Sequence, residues 1–66
     1  MNIVFNGQPQ QTAENVTVAE LLAGHKLSAR TVAVEVNLQV IPRVRHAEHV
    51  LREGDQVEVV TLVGGG

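Results

Sequence analysis

Polar and apolar residues alternate along Asn2–Asn6, "NIVFN", which is the period of a strand with one buried face. Asn6-Gly7 follows as its turn, because a tight hairpin needs positive φ and glycine adopts it without strain. A second, weaker strand is expected over Gln10–Ala13, confined to an edge or a strand start by Pro9. The period changes at "VTVAELLAGHKL", where Val18, Leu21 and Leu22 recur three and four apart, as on one face of a helix. Thr17 and Glu20 have the spacing of a capping box, in which hydroxyl and carboxylate each accept from an otherwise unpaired backbone N–H. Val16 and Leu21 occupy the flanking staple positions, and Gly24 predicts a stop after about two turns.

Strand alternation returns in "TVAVEV", residues 31–36. Asn37-Leu38 reads as its turn and "QVIP" as the return strand, closed by Pro42. Leu38 stands where a primed turn favours glycine, so another turn type is expected there. "RVRHAEHV" predicts one irregular helical turn, "REGD" at 52–55 a turn, and Gln56–Val63 the last strand. The order β-β-α-β-β-β sets one helix against a mixed sheet of four or five strands, an α+β fold.

Strand parity assigns faces. A glutamate is not buried unpaired, so Glu58 points away from the helix and Val57 and Val59 point inward. Val60 and Leu62 then share the outer face with Glu58. Asn2 and Asn6 put Ile3 and Phe5 inside and Val4 outside, and Glu35 places Val32, Val34 and Val36 inside. With the first and last strands as neighbours, Val4, Val60 and Leu62 are expected to form an exposed apolar patch suited to docking a partner protein.

At 66 residues the chain supports one domain, residues 1–63, followed by a flexible glycine tail at Gly64–Gly66. Apolar residues make up 44% of it, enough for a globular core. Cysteine is absent, which removes disulfide and thiolate chemistry and suits a reducing cytosol. No apolar run is long enough to span a membrane, and Met1-Asn2-Ile3 does not open like a signal peptide, so a cytoplasmic location is expected. Five Lys and Arg, a net charge of -2 and Phe5 as the sole aromatic lack the basic face and stacking rings of a nucleic-acid binder.

Candidate chemistry is sparse before the last residues. His46 and His49 in "HAEH" are too few for a zinc site and read as solvated surface, as His25 reads as a loop residue. Arg43, Arg45 and Arg52 form a modest basic set on a solvated face. No nucleophile–base set and no phosphate-cradling loop is present, so independent enzyme activity, a bound cofactor and a metal are not expected. The tail has a physical logic of its own. Glycine passes where any side chain clashes, three residues reach roughly 10 Å, and the terminal carbonyl is open to attack once activated.

The hairpin "NGQ", the helix "TVAELLA", the middle "VAVEVNLQVIPR" and the end "LREGDQVEVVTLVGGG" together resemble the ThiS family, the sulfur carriers of thiamine thiazole biosynthesis. The resemblance covers the whole chain and implies the ubiquitin-like β-grasp fold. It also implies a carrier rather than a catalyst. An E1-like adenylating enzyme uses ATP to form an acyl-adenylate at Gly66, and sulfur from a cysteine desulfurase relay converts it to a thiocarboxylate. Thiazole synthase then takes the sulfur. Gly65 completes the diglycine and Gly64 extends the reach. Related carriers for molybdopterin synthesis, protein-conjugating modifiers and a passive binding module with an incidental glycine end stay open as alternatives.

Overall fold

The computed structural model describes residues 1–62; Val63, Gly64, Gly65 and Gly66 lie outside the described residues. Five strands and one α-helix follow in the expected order: β1 (Asn2–Phe5), β2 (Gln8–Gln11), α1 (Val18–Gly24), β3 (Val32–Val36), β4 (Gln39–Val40) and β5 (Gln56–Thr61). A 3-10 turn at Arg43–Arg45 supplies the irregular helical turn between β4 and β5. The strands form one sheet in the order β2-β1-β5-β3-β4. The first and last strands are neighbours and parallel, while every other pairing is antiparallel. This is the mixed sheet with one short helix of a ubiquitin-like β-grasp fold.

The inner face follows the alternation. Ile3, Val32, Val34, Val36, Val57 and Val59 are buried against Val18, Leu21 and Leu22 of α1. Ile41 and Leu51 complete the core from the connections on either side of the 3-10 turn. Phe5 faces inward but is only half-buried, because its ring lies at the margin. There it stacks on His25 with ring centroids 4.0 Å apart and planes 6° from parallel. His25 is thus more than a loop residue: it caps α1, and its Nε2 lies 2.8 Å from Gln10 Oε1, joining the helix end to the first hairpin.

The helix begins as its capping box requires. Thr17 Oγ1 accepts from Glu20 N at 3.1 Å, and Glu20 Oε1 accepts from Thr17 N at 2.9 Å. The remaining first-turn donors are met by tertiary partners. Val18 N donates to His49 O and Ala19 N to His46 O, at 3.0 and 2.9 Å. The segment after the 3-10 turn is therefore bonded onto the helix N-terminus. This explains why His46 is buried at 4% exposure rather than solvated: its backbone is held against α1, and its Nε2 donates to Ile41 O at 3.0 Å. The other ring nitrogen, Nδ1, is buried without a partner among the described residues.

Three local expectations are corrected. β2 starts at Gln8 rather than Gln10, because Asn6 (φ 49) and Gly7 (φ 80) make a two-residue hairpin that pairs Phe5 with Gln8. Pro9 is tolerated because β2 is an edge strand. The helix reverses at Lys26 (φ 59) rather than at Gly24, which is its last residue. Lys26 N donates to Ala23 O and Leu27 N to Leu22 O, the paired bonds of a Schellman ending, while Leu27 packs on the core. Finally, the turn between β3 and β4 is of the primed kind, with both Asn37 (φ 52) and Leu38 (φ 71) left-handed. Asn37 is held there by its side chain, whose Oδ1 accepts from Gln56 N and whose Nδ2 donates to Asp55 Oδ1.

Leu38 is 87% exposed, so it contributes backbone strain without compensating burial. Leu38→Gly is predicted to raise stability by about 1 kcal/mol and Tm by roughly 4–8 °C. Thr17→Ala should cost about 1 kcal/mol through loss of the cap. Thermal denaturation of both variants checks this, and a Leu38→Gly protein that melts below the parent would refute the strain assignment.

Candidate functional site

The end of β5 is where the sequence places the reactive terminus, and its geometry is set by both neighbouring strands. On one side, β3 pairs with it from Val36–Val57 to Val32–Thr61, and Leu62 N donates to Thr31 O at 2.8 Å. On the other side β1 reaches only as far as Phe5, opposite Val57. One side chain then takes the place of a strand. Asn6 Oδ1 accepts from Val59 N at 2.7 Å, and Asn6 Nδ2 donates to Val59 O at 3.1 Å. The primary amide presents an acceptor and a donor as a peptide group does. It thereby continues the parallel ladder by one residue, from within the hairpin turn. Beyond Val59 no strand flanks this side of β5 among the described residues. The chain thus leaves the sheet at Leu62 fixed on its β3 side.

Val60 and Leu62 are both exposed, at 57% and 52%. They share the outer face, two residues apart at the exit of β5. Val4 is on the same face but does not join them. It is half-buried, and its partner across the parallel pair is Gln56, at the entrance of β5. Four residues separate Gln56 from Val60, so Val4 lies about 13 Å back along the strand. The sequence contains the parity but not the register, and the register decides adjacency. What surrounds Val60 instead is Ala33, directly opposite on β3, followed by the Glu35–Glu58 pair and by Val40 beside Glu35 on β4. Gly64, Gly65 and Gly66 lie outside the described residues.

Other candidate groups fall elsewhere. No cluster of three potential metal ligands occurs among the described residues. Arg45 is engaged with Glu48 at 3.2 Å in an exposed ion pair, and Arg43 and Arg52 are exposed. Two shallow grooves border β4 rather than the exit of β5. The first is about 380 Å³, lined by Gln39, Ile41, Pro42, Arg45, Glu48 and His49, and the second about 490 Å³, between Asn37, His49 and Asp55. No helix of the described residues is long and apolar enough to cross a membrane. Sequence reasoning missed Asn6 as the residue that secures Val59. The Asn-Gly pair signalled a turn, and nothing in the pattern indicates that the same amide reaches a strand 53 positions away.

Similarity to known proteins agrees with this geometry. The Escherichia coli sulfur carrier protein ThiS is 36% identical over 66 residues, covering all of both chains. A thiazole synthase of Paramagnetospirillum magneticum is 36% identical over the whole of this chain, and one of Magnetococcus marinus is 41% identical. In both of these the chain spans only 20% of the relative's length. The crystal structure of the thiamine biosynthesis protein ThiS from Geobacter metallireducens superposes with a TM-score of 0.86 at 38% identity, each chain covered in full. The model of the ThiS family matches residues 3–66, from the first strand through the three terminal glycines, and the chain belongs to that family.

Proposed function

We propose that this chain is a sulfur carrier of thiamine biosynthesis, a protein co-substrate whose reactive group is the carboxyl of Gly66. The observation that supports this most directly is the family match, which runs without interruption through Gly66. A carboxylate is a poor electrophile until one oxygen becomes a leaving group. An E1-like adenylating enzyme supplies that by transferring AMP from ATP to Gly66. Sulfur delivered from a cysteine desulfurase relay then displaces AMP to give a thiocarboxylate. The thiazole synthase is the acceptor of that sulfur, in keeping with the two thiazole synthase relatives that include a segment like this whole chain. The carrier binds no cofactor of its own in this scheme, since ATP belongs to the activating enzyme.

The folded body has two tasks under this reading: to present Gly66 and to be held by each partner in turn. The last three residues carry no side chains, so they pass through a narrow channel that any Cβ would obstruct. Val60 and Leu62, exposed at the exit of β5, offer an apolar foothold next to the reactive end.

Incubation with ATP, the adenylating partner and a sulfur source is expected to raise the intact mass by the difference between one sulfur and one oxygen. An unchanged mass with a partner that is active on another carrier would refute the reading. Deleting Gly65-Gly66 should leave the melting transition in place and abolish thiazole-dependent growth, restored by added thiazole. Normal growth of the truncated strain would instead favour a passive binding module. Leu62→Asp is expected to weaken docking while shifting stability by less than about 1 kcal/mol, as for an exposed position. A large drop in its Tm would contradict the outward placement of Leu62.

A further inference from the structure

Glu35 and Glu58 are directly opposite one another in the antiparallel β3–β5 pair. Both project from the outer face, because Val34, Val36, Val57 and Val59 on either side of them are buried in the core. Side chains so placed have Cβ atoms about 5 Å apart, and like charges there oppose sheet formation. Nothing nearby relieves them. Among the described residues the ion pairs are Met1–Glu14 and Arg45–Glu48, and neither involves this couple. The immediate surround is apolar or small: Val40 beside Glu35, then Ala33 opposite Val60, then Leu62. Two adjacent strands at the centre of the sheet thus hold a pair of carboxylates that the isolated protein has no structural use for. Such a face is complementary to an apolar surface that presents one cation. A guanidinium suits it best, since its planar fork meets two carboxylates at once.

Resting on the carrier reading above, we propose that this outer face is the seat of the thiazole synthase, and that the Glu35–Glu58 pair receives an arginine or lysine from it. Ala33, Val40, Val60 and Leu62 form the apolar surround that excludes water from the charged contact. The synthase is the occupant because thiazole synthase relatives contain a segment alike to this entire chain, which keeps such a body beside the synthase permanently. The charged contact sets which partner surface fits, since an acidic or neutral patch brought to the same face leaves both carboxylates dehydrated and unpaired.

The proposal is tested by calorimetric titration of the thiazole synthase from the same organism with the full-length chain, at low and high salt. The variants are Glu35→Gln, Glu58→Gln and the double substitution, with Glu48→Gln as a control on another surface. Each single variant is expected to bind about 10-fold more weakly, with Glu48→Gln unchanged. Added salt should weaken the parent far more than the double variant. In the free protein the same substitutions should raise Tm by roughly 1–5 °C, because they remove the repulsion between strands. A protein that is more stable yet binds less well separates a recognition role from a structural one. Variants that bind as tightly as the parent, or a fall in their Tm, would overturn the proposal while leaving the carrier reading intact. Failure of the parent itself to bind the synthase would remove that partner from the carrier reading. Dimerisation of the free chain, abolished by the double substitution, would give the face to a second copy and equally overturn it.

Discussion

The structure depends on β5 lying at the centre of the sheet with a different kind of neighbour on each side. A strand in that position must be apolar on its inner face and must satisfy its backbone groups in two directions. Val57 and Val59 meet the first condition beneath α1. The antiparallel ladder to β3, the short parallel ladder to β1 and the side chains of Asn37 and Asn6 at its two ends meet the second. Every other element is arranged around that strand. The first hairpin supplies its parallel partner, the helix covers it, and the connection through the 3-10 turn returns the chain to its starting point.

A single seven-residue helix is little with which to cover five strands, and the fold compensates by using loops as core. Leu51 and Ile41 are buried from irregular segments, and His46 is enclosed with its ring bonded to Ile41 O. The backbone carbonyls of His46 and His49 complete the donors of the helix start that the capping box leaves over. Helix and loop therefore form one unit: the loop gains burial and the helix gains its N-terminal hydrogen bonds. This is how a chain of this length reaches a core of eleven residues without disulfides or metal.

Much of this was legible in the sequence where the signal is local. The capping box at Thr17, the alternation in Val32–Val36 and the Asn6-Gly7 turn all act over a few residues, and they appear as read. Readings that needed a partner from far along the chain did not. Val4 shares a face with Val60 yet lies a dozen ångströms from it, because parity carries no register. His46 looks like surface in "RVRHAEHV" and is buried because α1 holds its backbone. Leu38 and Lys26 adopt the left-handed conformation that glycine would be expected to supply, because Asn37 side-chain bonds in one case and a Schellman ending in the other fix the backbone around them. At the candidate site, the glycine end and the outward Val60 and Leu62 were readable, whereas the opposition of Glu35 to Glu58 emerged only with the strand pairing.

The substitution of Asn6 for a strand residue at Val59 has a consequence for how narrowly the molecule's outlet is encoded. A main-chain rung tolerates almost any amino acid, since every residue owns the same N–H and C=O. The rung at Val59 exists only for a primary amide of this length: aspartate has no hydrogen to donate, and glutamine is one methylene too long. The heading on which the last residues depart is thus written in the identity of one side chain near the opposite end of the sequence.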